Sequence, residues 1–155
     1  MEEDNEKLGE FAIFKKKGAA KFKPMHLRRD DRGFVSKPGA ILLEMAPSVG
    51  TREDGLPLYD WTKKITFAIG VPDIIKMLEN GPKELTHQTS NASGDITKKI
   101  KFVPGEGQYV GSWQMMGSTF TNTEKNNVFV PISAGEWIVL QRLLLGTIPK
   151  LIGWE

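Results

Sequence analysis

Residues 60–82 read DWTKKITFAIGVPDIIKMLENGP, from Asp60 to Pro82, and two periodicities meet inside them. Trp61, Lys63, Ile65, Phe67 and Ile69 fall on one face of an extended chain, and Thr62, Lys64, Thr66 and Ala68 on the other. Alternation over a β-branched and aromatic run predicts a half-buried strand. The period changes at Gly70. Pro72 suits a first helical turn, Asp73 favours the positive helix start, and Ile74, Ile75 and Leu78 form an apolar stripe that Asn80-Gly81-Pro82 stops. A strand closed at once by a helix therefore organises the middle of the chain.

Upstream, Phe11 to Lys17 (FAIFKKK) and Ala19 to Pro24 (AAKFKP) are short β-type runs around Gly18. Gly33 to Ser36 leads into Gly39 to Ala46 (GAILLEMA), whose Ile41–Leu43 core suits a buried strand. Pro47 to Tyr59 is rich in Pro, Gly and charge and reads as a loop. Downstream, strands are predicted at Lys83–Thr89, Lys98–Val103, Gly111–Asn122 and Val128–Ile132, with a loop at Ser90–Gly94 and a turn at Pro104–Gly107. Ser133 and Glu136 then form a capping box, with Ile132 and Trp137 placed as a hydrophobic staple. Trp137, Leu140 and Leu144 mark one helix face, and Gly146 and Pro149 are expected to end or kink it. Four strands, a helix, four strands and a helix predict an α+β fold with antiparallel sheets.

The chain has 155 residues, enough to bury one core, so residues 11–155 are read as a single domain. It has no cysteine, which excludes disulfides, thiolate metal sites and thiol nucleophiles. His26 and His87 are its two histidines, and no Walker A, GxSxG or GxGxxG sequence occurs. Glu84 and His87 stand three apart without a second histidine at ligand spacing. The expectation is a protein without cofactor, metal or catalysis. No apolar run is long enough to cross a membrane as a helix, and no membrane partner is expected.

The net charge of +2 conceals a strong asymmetry. Residues 1–10 hold Glu2, Glu3, Asp4, Glu6 and Glu10 against Lys7, a net of −4. Residues 15–37 hold nine lysines and arginines against Asp30 and Asp31, a net of +7. The acidic start is read as a flexible leader and fits neither a secretory signal nor a transit peptide. The basic segment is either a solvated face or a site for phosphate-bearing partners.

Four further segments carry a resemblance. They are the basic KKGAAKFKP (Lys16 to Pro24), the strand and loop GAILLEMAPSVGTRE (Gly39 to Glu53), the triplet Tyr59-Asp60-Trp61, and the tail from NVFVPISAGEW to IGWE. Together, in this order, they make the chain resemble the Whirly family of single-stranded nucleic-acid-binding proteins. The family's Lys-Gly-Lys-Ala-Ala-Leu motif stands here as Lys16-Lys17-Gly18-Ala19-Ala20-Lys21, and Asp54 to Leu58 is extra sequence before the triplet. The resemblance implies two four-stranded antiparallel sheets packed crosswise, each followed by a helix. It also implies self-association as a homo- or hetero-tetramer, and single-stranded DNA binding in plastids or mitochondria. Kinetoplastid mitochondrial guide-RNA-binding proteins share that architecture, so guide-RNA binding and annealing in RNA editing is an alternative. An oligomeric scaffold for an acidic protein partner is another.

Candidate nucleic-acid-binding residues follow from charge interleaved with aromatics. Lys15, Lys16, Lys17, Lys21, Lys23 and Arg28 come from the basic segment, and Lys63, Lys64, Lys98, Lys99 and Lys101 from two strands. Lysines neutralise phosphates, and aromatic faces stack on unpaired bases. Trp113 is a candidate base stacker, with a core position as its alternative, and Gln114 could bond a base edge. Phe14 and Phe22 are assigned to the core, Trp61 and Trp137 to the core or subunit contacts, and Met115 and Met116 to core filling. Trp154 is expected to tether the C-terminus.

Overall fold

Alternation turns Ile41, Leu43 and Met45 to one side of a long central strand, and all three are buried. The computed structural model describes residues 9–91 and 94–154, so most of the acidic leader lies outside it. That central strand is β5 (Ala40–Thr51). It pairs with β2 (Gly18–Met25), which pairs with β1 (Phe11–Phe14), all antiparallel. Its other edge is shared. Ile41–Met45 pair with β7 (Ile65–Ile69), and Ser48–Thr51 pair with β6 (Pro57–Tyr59) across a register shift. Between β2 and β5 stands a separate ribbon of β3 (Arg28–Arg29) and β4 (Val35–Lys37). Helix α1 (Val71–Met77) closes the first half. The second sheet is β8 (Lys83–Asn91), β9 (Gly94–Pro104), β10 (Trp113–Phe120) and β11 (Lys125–Ile132) in sequential antiparallel order. Helix α2 (Ala134–Ile152) closes the second half.

The α+β class and the strand–helix order agree with the sequence reading, and several local expectations change. The first sheet has five strands, because residues 47–59 fold as the β5–β6 hairpin instead of a loop. Trp61–Lys63 is a 3₁₀ turn capped by Asp60, whose carboxylate accepts from the Thr62 amide at 3.0 Å, so the strand begins only at Ile65. Helix α2 runs through Gly146 and Pro149 to a left-handed cap at Gly153. Burial of Leu140, Leu144 and Leu151 on one side holds that last turn together despite both residues. The capping box is present as expected: Ser133 Oγ accepts from the Glu136 amide at 3.2 Å, and Glu136 Oε1 accepts from the Ser133 amide at 2.9 Å. The Trp154 side chain is 83% exposed, so it is not the tether expected of it.

The core lies between the inner faces of the sheets and beneath α2. Ile13, Phe22, Leu43 and Phe67 come from the first sheet; Leu85, Phe102, Met115 and Val130 from the second; Trp137 and Leu140 from α2. Lys83 penetrates this core. Its ammonium donates to the carbonyl of Met77 at 2.7 Å and to that of Glu79, and it lies 4.3 Å from the Trp113 ring centroid. It thereby satisfies carbonyls at the end of α1, and burial holds its pKa below the ordinary value.

Two glycines set how closely the sheets approach. A Cβ on Gly18 would lie 2.6 Å from the Phe129 carbonyl oxygen, and one on Gly117 would lie 2.7 Å from Met45 Sδ. Both contacts join the first sheet to the second. Gly18→Ala is expected to cost about 1–3 kcal/mol in chemical denaturation, because its obstacle is backbone. Gly117→Ala should cost less, because the thioether of Met45 can swing aside. Equal losses would show that the sheets do not meet this way.

Candidate nucleic-acid interface

On β10, Trp113, Met115 and Gly117 turn inward, so Gln114, Met116, Ser118 and Phe120 have the outward phase, although Ser118 itself is covered. Register extends this outer face across neighbouring strands. Met116 stands between Lys101 and Phe129, Ser118 between Lys99 and Asn127, and Phe120 between Thr97 and Lys125. Val103 and Phe129 are 48% and 38% exposed. Phe120 lies 5.1 Å from the Lys125 ammonium and 5.7 Å from that of Lys99. The result is a wet sheet face on which rings and ammonium groups alternate.

A basic turn borders this face. Lys15 N donates to the Gly18 carbonyl at 2.9 Å, closing the turn that carries Lys16 and Lys17. Lys17 reaches within 6.0 Å of the Phe129 ring and so joins the turn to the second sheet. On the other side, the β5–β6 hairpin and the turn enclose a cleft of about 810 Å³, lined by Phe14, Lys15, Lys16, Arg52, Leu56 and Tyr59. Phe14 belongs to this cleft and not to the core, being 57% exposed. The Tyr59 hydroxyl donates to the Lys15 carbonyl at 2.5 Å, and burial raises its pKa.

The contiguous lysines of the sequence are divided between faces. Lys21 and Lys23 stand on the outer face of the first sheet, where Lys21 lies 4.2 Å from the Trp61 ring and 3.8 Å from Glu10. Lys64 pairs with Glu44 on the same sheet. Lys63 and Lys64 line a polar groove of about 650 Å³ with Thr119, Asn126 and Asn127. Lys98 has the inward phase of β9 and donates to Thr66 Oγ1 at 3.2 Å. Lys99 and Lys101 face outward on the second sheet with Gln114, and Lys99 also lies 3.4 Å from Glu84. Arg28 is on the β3–β4 ribbon.

Trp113 does not serve as a base stacker. It is 9% exposed and packs against Trp137 at 5.2 Å between ring centroids. The surface rings are Phe120 and Phe129, with Lys125 beside them, and none was singled out in the sequence. The signal was available: Gln114, in the opposite phase from buried Met115, fixes which residues of β10 and β11 face water. His87 is also structural in its contacts. Its Nε2 lies 2.9 Å from Asp73 Oδ2, and its ring stacks on Phe67 at 3.9 Å, while Glu84 has the opposite phase on β8. Among the described residues, no three His, Asp or Glu side chains converge as a metal site.

Glu136 couples the turn to α2. Lys15 Nζ lies 2.7 Å from its Oε1. Burial raises the Glu136 pKa, but the Lys15 hydrogen bond, the capping-box bonds from Ser133 and the Lys15 charge outweigh it and hold the carboxyl below its ordinary 4.5.

Comparison with known proteins gives a consistent picture. The family model described as Whirly transcription factor matches residues 13–143. The chloroplastic single-stranded DNA-binding protein WHY1 of Zea mays is 29% identical over 166 residues, covering 99% of this chain and 59% of the maize protein. The protein of the same name from Arabidopsis thaliana is 32% identical over 127 residues, covering 78% of this chain and 46% of that protein. The chain thus spans about half the length of the curated relatives it matches. Among solved structures, WHY3 from Arabidopsis thaliana superposes with a TM-score of 0.81 at 24% identity, covering 94% of this chain and 89% of that one.

The Lys15–Glu136 pair predicts a pH-dependent contribution to stability. Glu136 is depressed, so the contribution is complete above its unfolded pKa near 4.5 and is lost as pH falls through the lower folded value. Lys15→Met should destabilise by at most about 1 kcal/mol near neutrality, as expected of a partly exposed pair. In urea titrations that difference should shrink as pH falls through the folded-state pKa of Glu136, below which the carboxyl is protonated in both states. A difference that is constant over this range would mean that the pair does not act through ionised Glu136.

Proposed function

The chain belongs to the Whirly family, and from that premise we propose that it binds single-stranded nucleic acid without catalysis. The outer face of the second sheet and the Lys15–Lys17 turn form the binding surface. The carrying observation is the pairing of Phe120 and Phe129 with Lys17, Lys99 and Lys125 on one wet face. Rings supply stacking platforms that every base can use, and ammonium groups meet phosphates with little regard for sequence. Single-stranded DNA is the favoured ligand, because the relatives are named for it. Single-stranded RNA offers the same phosphates and faces, and guide-RNA annealing stands as the rival. An organellar setting follows from the chloroplastic relatives.

The reading includes a sandwich whose sheets cross and an oligomer, taken as a tetramer. Exposed apolar side chains of α2 support self-association: Ile138, Val139, Leu143 and Leu145 are open to solvent. Leu143→Glu with Leu145→Glu should move the protein to smaller species in light scattering, and an unchanged mass would remove α2 from the interface.

Matched single-stranded DNA, single-stranded RNA and duplex DNA, titrated at two salt concentrations, test the binding. Single strands should bind much more tightly than duplex, and affinity should fall steeply with salt. Phe129→Ala should weaken binding by about 1–3 kcal/mol if a base stacks there. Lys101→Ala should reduce the salt slope by about 0.7 for one lost phosphate contact. Failure of every oligonucleotide to bind at low salt would sink the proposal.

A further inference from the structure

The β3–β4 ribbon is not used by the surface described so far. It begins where β2 ends, so the eight residues of β2 separate it from the Lys15–Lys17 turn by about 24 Å. The ribbon is short, but it is firmly placed. Asp30 Oδ1 accepts from the amides of Arg32 and Phe34 at 2.9 and 3.0 Å, and Gly33 supplies the positive φ that the tip requires. At its base, the Gly39 amide donates to the Leu151 carbonyl of α2 at 2.9 Å. Arg29 and Val35 pack so closely over the Gly153 cap that a Cβ there would lie 3.0 Å from each.

What the ribbon displays is electrostatically unfavourable on its own. Arg28 is the direct register partner of Lys37, and opposed like charges destabilise a strand pair. Among the described residues, no carboxylate lies within 4.0 Å of Arg28, Arg29, Arg32, Lys37 or Lys150. The Asp30 carboxylate is engaged by the tip amides instead. Phe34 is 66% exposed beside these cations. Next to the ribbon lies a cleft of about 420 Å³, with Met25, Leu27 and Leu151 as its apolar lining and His26, Arg29 and Lys150 as its polar lining. An arm with an unburied ring, an unneutralised like-charge pair and an amphipathic cleft suits a ligand carrying phosphates and flat apolar faces.

We propose that this ribbon is a second contact for the single strand: Arg28, Arg32 and Lys37 take phosphates, Phe34 stacks an unpaired base, and the adjoining cleft receives a neighbouring nucleotide. The inference rests on the single-strand reading above and extends it to a remote part of the surface. It implies that a long strand is held at two places, while a short one is held at the second sheet alone.

The test uses fluorescence-labelled single strands of about 6 and about 24 nucleotides, within and beyond the span of one such module. Binding is measured over a salt series with the wild type, with Phe34→Ala, and with Arg28→Ala combined with Arg32→Ala. All three substituted residues are exposed, and an unchanged melting temperature confirms folding. Both variants should bind the short strand as the wild type does and the long strand about tenfold or more weakly. The arginine variant should also lose about 1.4 from the long-strand salt slope, corresponding to two phosphates. Unchanged long-strand affinity and slope would overturn the ribbon contact while leaving the single-strand reading intact. Equal weakening for both strands would place the ribbon in the primary surface and overturn its role as a second contact. If the wild type binds neither strand, both readings fail together.

Discussion

The contact between Gly18 of β2 and the Phe129 carbonyl of β11 is the constraint from which the surface follows. Stacked sheets ordinarily stand about 10 Å apart because side chains fill the space between them. Here the chain gives up a side chain at Gly18 and another at Gly117, and backbone or thioether occupies their place. The close approach has a direct chemical consequence. Gly18 follows Lys17, so the point that brings the sheets together also delivers the basic turn to the edge of the second sheet. Lys17 then reaches the Phe129 ring without having to extend across solvent.

Electrostatics separates the two outer faces. On the first sheet, Lys21 and Lys64 each have a carboxylate partner, in Glu10 and Glu44, and Ala12, Ala19, Ala46 and Ala68 offer little area for a base. On the second sheet, Lys101 and Lys125 have no carboxylate within ion-pair distance among the described residues, and exposed Phe129 and Val103 stand nearby. The Lys99–Glu84 pair is exposed enough that its contribution to stability is small. A phosphate can therefore replace the carboxylate at little cost, and in doing so releases Glu84 to water. The second sheet combines available cations with available rings, whereas on the first sheet Lys21 and Lys64 are already compensated by Glu10 and Glu44.

Much of this was legible in the sequence because it is local. The Ser133–Glu136 box, the alternation of Ile65, Phe67 and Ile69, and the stop at Asn80-Gly81-Pro82 each depend on residues a few positions apart. What was not legible depends on distant partners. Ser48–Thr51 become a strand because Pro57–Tyr59 pair with them, although Pro47, Gly50 and Gly55 mark a loop by composition. Pro149 remains helical because Leu151 finds a buried position beyond it. The lysine cluster was misleading for a different reason. Residues contiguous in sequence alternate between faces in a strand, so Lys15–Lys17 and Lys21–Lys23 were separated once Lys17 ended in a turn and Lys21 in a strand. Trp113 is the same problem seen at one residue: its phase with Met115, and not its aromatic character, decided that it would be buried.

Helix α2 ties these parts into one mechanical unit. Its first turn holds Lys15 through Glu136, its middle covers the core with Leu140 and Leu144, and its last turn anchors the arginine ribbon through Leu151 and Gly153. The two basic regions at opposite ends of β2 are therefore positioned by opposite ends of the same helix. A helix rises 1.5 Å per residue, so the 19 residues of α2 extend about 28 Å, close to the roughly 24 Å that β2 spans. That match explains why the helix must continue through Gly146 and Pro149. A helix ending at Gly146 would still cap the core, but it would leave Gly39 without the Leu151 carbonyl and the ribbon without its base.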